Sequence, residues 1–140
     1  MSLDPAPFAA LSPDTLRWLA LGRALYNRGE HWESHEAWEQ AWQDEEGDVK
    51  LLLQILIQVA AAMHKALVQA QPASCVKLLG SALEKLAGLP DGAAGLDLED
   101  FRRQARIAQT HAQGWSAGSV PAFDPALVPT LRLLDVRPPR

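Results

Sequence analysis

Cysteine is nearly missing from this chain. Cys75 stands alone, which excludes an internal disulfide and a four-cysteine zinc site. Long apolar runs are missing as well: nothing approaches the roughly 18 consecutive apolar residues of a membrane span, so no membrane partner is expected. The opening residues, MSLDPAPF, are acidic and proline-rich instead of basic and then apolar, and a cytoplasmic location is the expectation. Cations are absent between Gly29 and Val49, where eight acids stand (Glu30, Glu33, Glu36, Glu39, Asp44, Glu45, Glu46, Asp48). Such a stretch repels a phosphate backbone, and nucleic acid is not an expected partner. The one compact basic group, Arg102, Arg103 and Arg106, reads as a solvated helix face. Phosphate loops of the GxGxxG or GxxxxGK[ST] type do not occur, and Gly22 and Gly29 are isolated. β-branched residues are few.

Alanine and leucine dominate the 140 residues, and the net charge is −4. The length fits one domain, and the composition favours helix nearly everywhere. Residues 1–11 read as an arm. Ser12-Pro13 then reads as an N-cap followed by proline at the first helical position, and Asn27-Arg28-Gly29 as the end of that helix. A second helix is expected over about 30–44 and a third over about 49–69. From Leu51 to Ala62 the third is apolar apart from Gln54 and Gln58, so it should be the covered, central helix. Gln71-Pro72 breaks the chain before a fourth helix, about 72–87, striped by Val76, Leu79, Leu83 and Leu86. After a glycine-rich link, Asp97 with Asp100 resembles a weak capping box for a fifth helix ending near 112. The segment 116–140 reads as irregular and proline-rich, with a turn of helix near 125–134. Phe123, Val128, Leu131 and Leu134 should hold it on the bundle. The expected fold class is all-α: a compact antiparallel bundle of about five helices, with a domain core over 12–115.

The second helix concentrates the unusual residues. At about 100° per residue, His31, Trp32, His35, Trp38, Glu39 and Trp42 share a sector about 120° wide, with Glu36 at its edge and Glu33 outside. That sector is expected to face the core. A carboxylate buried there needs a partner, and His35, Arg23, Arg28, Gln54, Gln58 and His64 are candidates for Glu39. Several readings stay open. One is a satisfied polar network of Asn27, Arg28, Gln54, Gln58 and His64 among Trp32, Trp38 and Trp42, which orients the helices without chemistry. Another is a small-molecule or peptide pocket lined by the same groups. A third is an acid–base site, with His35, Glu36 and Glu39 as candidate catalytic residues. A divalent metal is a fourth, held by His31, His35, Glu39 and His64, whose nitrogen and oxygen donors suit zinc, iron or manganese. His35-Glu36-Ala37-Trp38-Glu39 lacks the second histidine of H-E-x-x-H, and the four histidines all lack a glutamate three residues earlier, so the metalloprotease and ferritin-like patterns both fail. Cys75 reads as an inert thiol. The leading expectation is a non-enzymatic interaction or scaffold domain that meets a protein partner or a second copy of itself, without a cofactor. The alternative is a metal-dependent or acid–base enzyme acting on a small molecule through His35, Glu39 and His64.

The strings LYNRGEHWESHEAWEQAW and LLLQILIQVAAAMHKALVQAQPASCVKLLGSALEKL together resemble the bacterial and archaeal family called domain of unknown function 309 (DUF309). Its first motif is matched at Tyr26, Asn27, Gly29, Trp32, Glu33, His35, Glu36, Trp38, Glu39 and Trp42. The second is matched at Gln54, Ile57, Gln58 and His64. The likeness runs over about 16–88. Two positions depart: Ile55 stands where a glycine commonly follows the first glutamine, and His31 where an aromatic often precedes the tryptophan. The resemblance implies a cytoplasmic all-α bundle of roughly five helices with the motif residues gathered between helices. It implies no reaction.

Overall fold

Ser12 begins the first helix as its position predicts: its side chain accepts a hydrogen bond from the Thr15 amide at 3.1 Å. The computed structural model describes residues 11–134. The expected arm therefore lies outside the described residues except for Leu11, which packs against the core, and so do residues 135–140. Helix α1 spans Pro13–Asn27. It ends where Gly29 takes φ 85°, a left-handed conformation that costs a glycine little. Then come α2 (His31–Trp42), α3 (Gly47–Leu67) and α4 (Pro72–Leu86), with Pro72 at the first helical position. A 3-10 turn at Ala93–Gly95 precedes α5 (Leu98–Ser116), whose N-cap Asp97 accepts from the Asp100 amide at 3.1 Å.

The fold is the expected all-α bundle, with small departures at the ends of elements. Helix α5 runs one turn past 112, because Gly114 stays helical and the chain leaves the helix only after Ala117, at Gly118 (φ 83°). The turn expected near 125–134 shrinks to a 3-10 turn at Pro125–Leu127. Beyond it the chain is extended. The Asp97 amide donates to Arg132 O and the Leu134 amide to Gly95 O, both at 2.8 Å, flanking an antiparallel bridge between Leu96 and Leu133. Phe123 and Leu131 are buried, so the segment is part of the packed structure.

Successive helices pack on one another, and α3 lies at the centre. Leu52, Leu53, Ile55, Leu56, Ala60 and Met63 are all buried there. Each large apolar side chain so covered contributes roughly 1.5–3 kcal/mol. By length and composition alone α3 could also cross a membrane, but 56% of its most apolar window is buried inside the bundle. Where α1 crosses α2, Gly22 meets the Trp38 indole, and the indole Nε1 donates to Leu19 O at 3.3 Å. A side chain at Gly22 would occupy the space of that ring.

Candidate functional site

Helix α2 is rotated by about a quarter turn from the expected orientation. Its buried residues are His31, Ser34, Ala37, Trp38 and Ala41, so the face on the core is centred between Trp38 and Ala41 and not on His35. Of the six residues expected to face inward, only His31 and Trp38 are buried. His35, Glu39 and Trp42 sit at the seam, half-buried, and Trp32 is 46% exposed. The cause is steric. Ser34, Ala37 and Ala41 are small and let α2 lie close to its neighbours, while one indole, Trp38, fills the gap beside Gly22. The spacing of Ser34, Ala37 and Ala41 carries this signal, which the bulkier tryptophans on the same helix mask. Glu33 and Glu36 are exposed.

At the seam, Trp32 stacks on His35 (ring centroids 4.8 Å apart, planes 20° apart) and packs on His64 of α3 at 5.0 Å. His35 Nε2 lies 3.2 Å from Glu39 Oε1, so the expected partner of Glu39 is found one turn back on its own helix. The Glu39 side chain is 44% exposed, and water does much of the solvation that buried partners were expected to supply. His31 is buried, edge-on to Tyr26 at 5.1 Å. Burial pushes its pKa down, the neighbouring His64 pushes it further, and Glu33 opposes both. At the other end of α2, Lys50 Nζ sits 4.1 Å from the centre of the Trp42 ring, a cation–π contact.

The remaining members of the expected network serve other contacts. Gln58 turns away from α2, and its amide donates to Ser81 of α4 at 3.3 Å. Gln54 is half-buried on α3. Arg28 is exposed and pairs with Glu30 at 2.6 Å, two residues on. Arg23 Nε donates to Leu131 O at 2.7 Å. Asn27 clamps the same residue from both sides: its Nδ2 donates to Leu131 O at 2.8 Å and its Oδ1 accepts from Leu131 N at 2.9 Å. Asn27 thus belongs to the attachment of the C-terminal segment, where Gln104 does the same for Thr130. Nothing local in the chain pairs residue 27 with residue 131, so that role was not legible in the motif.

Among the described residues, no three of His, Cys, Asp and Glu converge so as to hold a metal ion. His31 packs on Tyr26, His35 and His64 pack on Trp32, and Glu39 pairs with His35, so the four do not form such a group. Cys75 is buried, which pushes its thiol up to about 11 and suppresses the thiolate, as an inert role requires. In the basic group, Arg102 donates to Leu86 O at the end of α4, and Arg103 pairs with Asp100.

Fold and site together define a small all-α bundle domain whose polar and aromatic residues gather where α2 meets α1 and α3. Residues 19–78 match the family model described as Domain of unknown function (DUF309), which supports the family that the two motifs resemble. The matched span holds α2, all of α3 and every motif residue named above. No curated protein matches the chain.

Proposed function

We propose that the chain is a cytoplasmic, non-catalytic interaction domain that meets a protein partner through the surface around Trp32. The observation that carries this reading is a large indole, nearly half exposed, held in place by His35 and His64. A pre-ordered aromatic loses little freedom on docking, and tryptophan is enriched among residues that dominate binding energy. Glu33 and Glu36 beside it, in a stretch free of Lys and Arg, favour a basic protein surface and disfavour nucleic acid. The His35–Glu39 pair orients one stacking ring, and among the described residues no three His, Cys, Asp or Glu side chains converge beside it.

The test compares wild type with Trp32→Ala. Light scattering on a sizing column reads self-association, and affinity capture reads other partners. A complex retained by wild type and weakened at least tenfold in Trp32→Ala, with unchanged helicity, is the expected result. A monomer whose captured proteins are the same with and without Trp32 would reject the reading.

A further inference from the structure

Tyr26 and His31 end in buried polar atoms, the Tyr26 hydroxyl and His31 Nε2, without a hydrogen-bond partner among the described residues. The residues are 2% and 6% exposed. A bare buried polar atom costs more than a made hydrogen bond returns, so two on adjacent rings call for an explanation. Both residues line one cavity of about 400 Å³, between the α1–α2 turn, the end of α3 and the segment 125–130. That volume falls in the range of small-molecule sites.

The far wall of the cavity is apolar: Leu67, Pro125, Ala126, Val128 and Pro129. Its backbone offers few donors, since the two prolines have none and the Ala126 amide is taken by Asp124 Oδ1. This wall is tethered at its two ends. The Asp124 amide donates to His111 Nε2 at 3.0 Å on one side. On the other, Gln104 holds Thr130, and Asn27 and Arg23 hold Leu131. Between these anchors, the Leu127 and Val128 amides bond only to Asp124 O and Pro125 O, within the segment itself. Residues 125–129 therefore cover a floor on α1 and α2 like a lid, tethered at both ends and packed on the core through Leu127 and Val128.

We propose that this cavity is a ligand site for a small, mainly apolar molecule carrying one uncharged hydroxyl or carbonyl group, which bonds to Tyr26 Oη and His31 Nε2 as the 125–129 lid parts from α2. A neutral imidazole and a phenol can each donate or accept, which matches a hydroxyl. A charged ligand is disfavoured, because among the described lining residues Arg28, at the rim, is already paired with Glu30. Trp32 does not line this cavity, and the proposal does not rest on the reading of the Trp32 surface. Its floor falls within the matched stretch 19–78, and its lid lies beyond it.

Phenol serves as the probe, with toluene as the same ring lacking the hydroxyl, and NMR follows the His31 ring and the Ala126 amide. The expected result is saturable shifts with millimolar phenol, and clearly weaker binding of toluene. Tyr26→Phe should weaken phenol roughly tenfold, the worth of one hydrogen bond. The same variant should raise the melting midpoint of the free protein, since it deletes an unsatisfied hydroxyl from the interior. His31→Phe is the second variant, with the same two readouts. Equal affinity for phenol and toluene, no saturable shift with phenol, or phenol binding unchanged in either variant would overturn the proposal.

Discussion

Gly22→Ala is the most informative single change in the core, because its sign is opposite to ordinary expectation. Inside a helix, alanine is favoured over glycine by roughly 1 kcal/mol. At Gly22, however, a new methyl would meet Trp38 Cδ1 at 2.5 Å and Cε2 at 2.6 Å. The ring cannot swing away, since Trp38 is 1% exposed and its neighbours are packed. Overpacking of this kind costs about 1–3 kcal/mol. Displacing the indole also strains the Nε1 bond to Leu19 O, worth about 1 kcal/mol. The net loss is about 1–3 kcal/mol, or a fall in melting midpoint of roughly 5–10 °C. Gly80 is the control: it lies within α4, and a methyl there would meet only the side-chain tip of Gln109 at 3.3 Å, which can yield. Gly80→Ala should therefore stabilise by roughly 0.5–1 kcal/mol. Urea denaturation of both variants, followed by circular dichroism, reads the two signs. Trp38→Leu added to Gly22→Ala should recover part of the loss, a favourable coupling in the double-mutant cycle. A Gly22→Ala protein as stable as wild type, or more so, would refute the close-approach account of how α1 and α2 meet.

Two further outcomes follow from the site. Because burial lowers the His31 pKa below its unfolded value of about 6.5, the unfolded chain binds the extra proton. The stability contributed by neutral His31 is thus complete above pH 6.5 and declines as pH falls through that value toward the folded pKa; urea midpoints at pH 8 and pH 5 should show it. His31→Phe should flatten that slope, and an unchanged slope would contradict the assignment. Asn27→Ala removes two bonds to the Leu131 backbone and should cost about 1–2 kcal/mol. Hydrogen exchange at the Leu131 amide should quicken at least tenfold, and protection equal to wild type would show that other contacts hold the segment.

Much of the architecture was legible locally. Ser12, Pro13, Gly29, Pro72 and Asp97 act through atoms within a few residues of themselves, so caps and breaks can be read without knowing what lies across the molecule. The apolar run of the third helix likewise announced its central place, because a helix covered on most sides has little choice of environment. Within the motifs, Trp32 stacks on His35, His35 pairs with Glu39, and His64 packs on Trp32 from α3.

The face that α2 turns inward was settled only in three dimensions. The choice between its indoles and its small residues depended on Gly22, a residue of another helix, which makes room for one tryptophan and no more. Sidedness, the joining of Asn27 to Leu131, and the lid over Tyr26 and His31 all rest on contacts between residues remote in the chain. What the sequence determined by itself was where helices begin, end and bury most; the tertiary structure alone decided which faces meet, because close packing is a property of two surfaces and periodicity describes only one.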